Sequence, residues 1–351
     1  MHASVKLAPM SRQSEMEQFV ADAGHAGAPI SLLAGDASFR KYWRVNVQGS
    51  SLVLMDAPPE HEDVRPFIQV TNLLRDMGLK APSVHAQDLQ RGFLLLEDLG
   101  DSLFSRTLMV GADQEAAMYQ AACDALVKIG AESKKHAALS SALPPYDAAV
   151  YLREVALFAE WFLVQVHGQA IAKSLRDDWL QIWRDVLAHA GLTNEVLVHR
   201  DYHADNLLWL AGEGTDRVGM LDYQDALYGD PLYDVISLLE DARRDVAPAV
   251  VAQCKAFMQT STHTNADDFA RRYHVLAAQR NCKIVGIFTR LCVRDGKARY
   301  LDYMPRVWGH LLGDITHPSL APVKAFIDTH VPAAYRGVFT ADVTRGGLVI
   351  A

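Results

Sequence analysis

Hydrophobic positions along this chain change their period near residue 100. Before that point short apolar runs of strand length alternate with polar or glycine-containing breaks. SLLA at 31–34, YWRVNV at 42–47 and SLVLM at 51–55 predict strands, and SVHA at 83–86 and FLLL at 93–96 predict two more. One amphipathic helix interrupts them over 65–74, with Pro66 suited to its first turn. After Asp101 the apolar residues fall three and four apart, as at Ala117, Ala121, Leu126 and Ile129, which predicts helices over 112–131, 150–167 and 171–190. Three short strands interrupt the helices, at 195–198, 207–210 and 218–221, the last two joined as a hairpin by the turn GEGTD at 212–216. Beyond Pro231 helical spacing returns over 233–243, 248–260 and 269–293.

These changes predict an α+β protein with a small antiparallel-sheet amino lobe over 1–97, a hinge at 98–102 and a larger, mainly helical carboxyl lobe over 103–351. A chain of 351 residues with half its composition hydrophobic can bury two cores. The net charge of -8 argues against a nucleic-acid partner, which calls for a basic surplus. No apolar run reaches the ~18 residues that span a bilayer, so no membrane partner is expected. The opening MHASVKLAPMSRQSEMEQF lacks the apolar stretch of a signal peptide, and the expectation is a cytoplasmic enzyme. Cys123, Cys254, Cys282 and Cys292 lie in apolar helical stretches and are expected to be reduced and buried.

The most specific chemistry lies in HRDYHADN, from His199 to Asn206. It fits the pattern H-R-D-x-x-x-x-N, in which an aspartate accepts the proton of an attacking hydroxyl and an asparagine five residues later holds Mg²⁺. Those residues are Asp201 and Asn206 here. The strand at 218–221 ends at Asp222, which is expected to bring a second oxygen ligand beside Asn206. The same run also reads H-x-D-x-H-x-D, so His199, Asp201, His203 and Asp205 could instead ligate zinc in a metal-dependent hydrolase.

In the amino lobe, GDASF at 35–39 separates two strands. Small residues there, Gly35 and Ser38 among them, can lay backbone N–H groups over nucleotide phosphates, with Arg40 and Lys41 adding charge. Backbone groups of Glu97 and Leu99, where the strand at 93–96 gives way to EDLG, can meet an adenine base.

With these residues assembled, the chain resembles the aminoglycoside phosphotransferase branch of the protein-kinase-like fold over about 31–312. LVLMDAPPEHED, FLLLEDLGD, LVHRDYHADNLLWL, LDYQDALYGDPLYDVISLLEDARRD and QRNCKIVGIFTRL further resemble the amino-sugar kinases of cell-wall metabolism. The resemblance implies a bilobal fold and transfer of a phosphoryl group from ATP, with Mg²⁺, to the anomeric C1 hydroxyl of N-acetylmuramate or N-acetylglucosamine in peptidoglycan recycling. It implies Asp201 as the base, Asn206 and Asp222 as metal ligands, and structural roles for His199 and for Asp234, at the start of a helix. Tyr223, Gln224 and Asp225, beside Asp222, and Arg280, Asn281 and Lys283, on about one helical turn, are rival sugar contacts. A cation in the latter group would suit the lactyl carboxylate of muramate, while a solvated basic helix face is the plainer reading.

One departure stands out. Protein kinases pair a strand lysine with a helix glutamate to hold the α- and β-phosphates. Here the strand at 52–55 has no lysine and the helix at 66–75 no acidic residue. Arg40 or Lys41 is expected to substitute. Other readings are a kinase of another small hydroxylated substrate (an aminoglycoside, an amino alcohol or another sugar) and a pseudokinase adaptor, against which the intact Asp201, Asn206 and Asp222 argue.

Overall fold

The computed structural model describes residues 11–35, 39–136, 139–337, 339–342 and 347–350. Its strands are β1 (Ile30–Gly35), β2 (Lys41–Val47), β3 (Ser50–Asp56), β4 (Val84–Asp88), β5 (Phe93–Glu97), β6 (Val196–Val198), β7 (Leu207–Trp209), β8 (Val218–Met220), β9 (Leu227–Gly229), β10 (Phe339–Asp342) and β11 (Gly347–Ile350). The helices begin with α1 (Arg12–Val20), α2 (Arg65–Asp76), α3 (Phe104–Val110), α4 (Glu115–Ser133), α5 (Leu139–Ala142), α6 (Ala148–Leu157) and α7 (Val164–His167). They continue with α8 (Lys173–His189), α9 (Leu232–Leu239), α10 (Pro248–Ser261), α11 (Ala266–Val293), α12 (Met304–Asp314) and α13 (Ala321–His330). Contacts divide the chain into two units, Met1–Ser102 with Leu208–Asp225, and Leu103–Leu207 with Ala226–Ala351.

In the first unit, β1 to β5 form an antiparallel sheet in the order β1-β2-β3-β5-β4. The register sets Val45 against Leu52 and Leu54 against Leu95, so apolar side chains share a face. Helix α1, in a stretch too polar to announce itself in the sequence, covers that face. Its amino end is capped by Ser11, whose hydroxyl accepts from Ser14 N. Met16, Phe19 and Val20 then bury against Val45, Leu54, Phe93 and Leu95, each large side chain contributing about 1.5–3 kcal/mol. Arg12 anchors the same helix through Asp56, at 2.9 Å from Nε to Oδ1.

The segment Leu208–Asp225 was assigned from sequence to the helical lobe, yet its contacts group it with the strand unit. Met220 N donates to Lys80 O at 2.8 Å, and Gly219 passes so close to Leu208, Leu210 and Leu99 that a β-carbon there would meet them at 3.1–3.3 Å. Tyr223 stacks on Phe67 of α2, ring centroids 5.0 Å apart, with its hydroxyl 2.7 Å from Thr71 Oγ1.

The second unit packs around the 28-residue α11. The expected continuous helix over 150–167 is α6, a wider π turn over Phe158–Leu163 and α7, which stops at Gly168 in the left-handed region. Gly286 lets α11 press against this element: a β-carbon there would lie 2.4 Å from Leu157 C. Phe158, Phe162, Trp179 and Trp308 fill the adjoining core, and the four cysteines are free and buried. Helices α12 and α13 complete it, beyond the last helix the sequence pattern marked. No described helix is long and apolar enough to cross a membrane.

Candidate active site

The run from His199 to Asn206 leaves β6 and enters β7 as an irregular loop in the second unit. Such a loop must find partners for its backbone, and Asp234 supplies them. Its carboxylate accepts from His199 N at 2.6 Å and Arg200 N at 2.9 Å. Arg200 has a φ of 76°, a conformation that costs a residue with a β-carbon about 1–3 kcal/mol and persists where the surroundings impose it. Asp234 is itself fixed at the start of α9, where Leu232 N donates to Asp230 Oδ1 at 2.9 Å and Arg272 pairs with Asp230 at 2.8 Å. Burial pushes the Asp234 carboxyl up from its ordinary range, against the pull of the His199 and Arg200 donors.

A second anchor, absent from the sequence reading, is Glu154 on α6. Its Oε1 receives Arg200 Nη2 at 2.6 Å and Lys283 Nζ at 2.8 Å, and its Oε2 receives Tyr146 Oη at 2.6 Å and Gln279 Nε2 at 3.0 Å. Burial raises this carboxyl, but the fields of Lys283 and Arg200 and the donated bonds more than offset it and hold Glu154 at about 2. Asp201 has a related environment. Burial raises it, and the charges of Lys283, Arg200 and Arg280 more than offset that, holding the carboxyl below its ordinary range.

The loop closes on itself through Asp201 O, which accepts from His203 N at 3.1 Å and Asn206 Nδ2 at 3.0 Å. That bond fixes the Asn206 amide with its nitrogen committed. His203 is buried, and burial, with Arg243 beside it, pushes its pKa well below the ordinary value. Arg243 lies between His203 Nε2 at 3.2 Å and Asp205 Oδ2 at 3.3 Å, and its own N–H donates to Asp241 at 2.9 Å. Among the described residues no three His, Cys, Asp or Glu side chains cluster as a metal would require, so the H-x-D-x-H-x-D reading has no geometry behind it.

The first unit holds Asp222 and the nucleotide-binding candidates. Asp222, also in the left-handed region with φ 60°, accepts Arg40 Nη2 at 3.2 Å and Gln224 Nε2 at 3.0 Å on Oδ1. Arg40 is buried, whereas Lys41 is exposed at the start of β2, opposite Gly35 on one side and Asp56 on the other. Ser38 lies outside the described residues. Glu97 N, one of the backbone groups offered to adenine, donates to Ser83 O at 2.9 Å, and the Glu97 side chain accepts from Ser83 Oγ at 2.9 Å. Leu99 N–H makes no bond among the described residues. The segment between them is held by Arg44 of β2, which reaches Asp98 at 2.7 Å and Asp101 at 2.8 Å.

Three expected sugar contacts have structural partners. Arg280 and Asn281 form no solvated face: Arg280 donates to Ser237 Oγ at 2.9 Å and Glu240 O at 3.3 Å, and Asn281 bridges Glu240 at 2.9 Å and Asp314 at 3.1 Å. Both are buried. Tyr223 is likewise a core residue of its unit, with its ring and hydroxyl both engaged. Gln224 is half-buried beside Asp222, and Asp225 is exposed.

Comparison with solved structures identifies the fold. An aminoglycoside 2'-phosphotransferase-IIIa variant in its GDP complex superposes with a TM-score of 0.61 at 17% identity, covering 89% of this chain and all of that one. A choline/ethanolamine kinase family protein from Mesorhizobium loti gives 0.56 at 15% identity, covering 91% and 100%. The fold is therefore the α+β protein-kinase-like fold. At the level of sequence, residues 29–273 match the model of the phosphotransferase enzyme family, and the chain belongs to that family. Among curated relatives, the N-acetylmuramate/N-acetylglucosamine kinase of Pseudomonas aeruginosa is 38% identical over 310 residues, covering 84% of this chain and 87% of that protein. The enzyme of the same name from Caulobacter vibrioides is 34% identical, covering 93% and 98%.

Proposed function

We propose that this chain transfers the γ-phosphoryl group of ATP to the anomeric hydroxyl of N-acetylmuramate or N-acetylglucosamine, as a cytoplasmic enzyme of peptidoglycan recycling. The observation that carries the reading is the loop from His199 to Asn206, ionised at Asp201 and braced by Asp234 and Glu154, in a chain whose relatives bear that kinase name over most of their length.

In this reading Asp201 accepts the proton of the sugar hydroxyl as its oxygen attacks phosphorus. Asn206 and Asp222 would supply oxygen ligands to Mg²⁺, whose charge would offset that of the phosphates. Their chemistry fits a hard cation: one offers a carboxylate, and the other has its amide nitrogen committed to Asp201 O, so its oxygen remains the group to offer. Arg40 takes the part of the missing strand lysine. Its burial and its 3.2 Å contact to Asp222 favour it over the exposed Lys41. Gly35 and Ser38 cover the phosphates, and adenine meets the Glu97 carbonyl and the Leu99 N–H. Residues 1–97 form the nucleotide lobe and 98–102 the hinge, and the rest of 103–351, apart from the 208–225 segment grouped with the strand unit, carries the base and receives the sugar. Of the proposed sugar contacts, Lys283, Gln224 and Asp225 remain.

The test is a panel of N-acetylmuramate, N-acetylglucosamine, aminoglycosides and choline with MgATP, the phosphorylated position read by phosphorus NMR. Phosphorylation at C1 of an amino sugar is expected, abolished in Asp201→Asn with ATP binding retained. Turnover of choline or an aminoglycoside alone would overturn the substrate assignment, and near-normal turnover by Asp201→Asn would overturn the base.

A further inference from the structure

The loop contains a buried donor that the mechanism above does not use. His203 Nε2 lies 3.2 Å from Arg243 Nη1 and 3.5 Å from Asn206 Nδ2. Both neighbours can only donate, so Nε2 must be the acceptor and the ring proton must sit on Nδ1. That Nδ1–H has no hydrogen-bond partner among the described residues, in a side chain 96% buried (4% exposed). Unpaired buried donors are rare in folded proteins and call for an explanation. This one lies two residues after Asp201 in a tight turn, with His203 N bonded to Asp201 O at 3.1 Å. Arg243 is well placed to hold the ring: Asp205 and Asp241 fix the guanidinium and its backbone.

Resting on the kinase reading above, we propose that His203 is a further catalytic residue whose Nδ1–H donates to an anionic oxygen of the bound reactants, and that Arg243 is the positioning residue that sets its tautomer. The oxygen belongs either to the phosphoryl group in transfer or to the carboxylate of N-acetylmuramate. Its contribution is a preorganised hydrogen bond to a site of negative charge.

The full-length protein, with His203→Asn, His203→Gln, His203→Ala, Arg243→Met and Arg243→Lys, is assayed with MgATP and each sugar. Asparagine puts an amide N–H near the Nδ1 position, and glutamine puts it near Nε2. His203→Gln and His203→Ala are expected to lose on the order of 100-fold in turnover, as for removal of one preorganised donor, while His203→Asn retains activity within about tenfold of the wild type. Equal losses on both sugars assign the phosphoryl oxygen, and a loss confined to N-acetylmuramate assigns the carboxylate. Nitrogen-15 spectra of labelled histidine should show His203 protonated at Nδ1, a state lost in Arg243→Met and kept in Arg243→Lys. The proposal is overturned if glutamine serves as well as asparagine, if alanine leaves turnover unchanged, or if the wild-type ring carries its proton on Nε2. The spectrum needs no substrate. An inactive wild type would therefore count against the kinase reading while the tautomer is still decided.

Discussion

Glu154→Gln removes one charge and almost no volume from the point where Arg200 and Lys283 meet. Both cations contact Oε1, at 2.6 and 2.8 Å, and the side chain is 8% exposed. Breaking a buried pair by deleting one partner strands the other, at a cost of about 3–5 kcal/mol. A second route gives a similar size. Glu154 is held at about 2 against an ordinary 4.5, which at 1.36 kcal/mol per pH unit is about 3 kcal/mol of stability. The sign follows from the depressed folded-state value. The contribution is complete above about 4.5, where the unfolded carboxyl is ionised, and is lost as pH falls towards about 2.

The assay is guanidinium unfolding of the wild type and Glu154→Gln at pH 7, 5 and 3. The gap at pH 7 is expected to be about 3–5 kcal/mol, unchanged at pH 5 and clearly smaller at pH 3. A gap below about 1 kcal/mol at pH 7 would refute the hub, because an exposed pair is worth no more than that. A gap that stays constant down to pH 3 would refute the assignment of the effect to the carboxylate charge.

Other substitutions separate the remaining claims. Arg40→Ala should raise the Michaelis constant for ATP about 10–100-fold, the value of one charge-assisted hydrogen bond, and Lys41→Ala should leave it within about twofold. Equal effects in initial-rate kinetics would remove Arg40 as the phosphate cation. Gly286→Ala places a β-carbon 2.4 Å from Leu157 C, so α11 and α6 must part, and thermal unfolding should report a loss of about 1–3 kcal/mol or more. A wild-type melting temperature would show that the close approach is not required.

What the sequence revealed and what it hid have physical reasons. The strands of the first sheet were legible because β-branched and leucine runs are bounded by turn residues, and Asp201, Asn206 and Asp222 could be named as candidates because their spacing is local. Helix α1 was not, since only Met16, Phe19 and Val20 among its polar residues reach the core. Glu154, Arg243 and Asp241 carry no local signal either: they meet the loop from 46, 40 and 37 positions away, and only the fold brings them there. Arg280 and Asn281 misled for the complementary reason. A polar turn on a helix looks solvated until its partners, Glu240, Ser237 and Asp314, arrive from elsewhere.

The Arg40–Asp222 pair bears on how nucleotide and cation would enter. With Asp222 side chain 31% exposed and Arg40 10%, separating them alone costs each charge its ion-pair partner in a partly buried setting. On the proposed reading, phosphate oxygens draw Arg40 and the cation draws Asp222, so each charge leaves one partner for another in the same step. ATP without Mg²⁺ would draw Arg40 away from Asp222 with no new charge in its place; Mg²⁺ without ATP would crowd a cation against Arg40. Binding of the two is therefore expected to be cooperative, and titration calorimetry should show ATP binding weakly alone and tightly with Mg²⁺. In Arg40→Ala, with no pair to break, that cooperativity should shrink. Unchanged cooperativity would mean that Asp222 and Arg40 do not exchange partners.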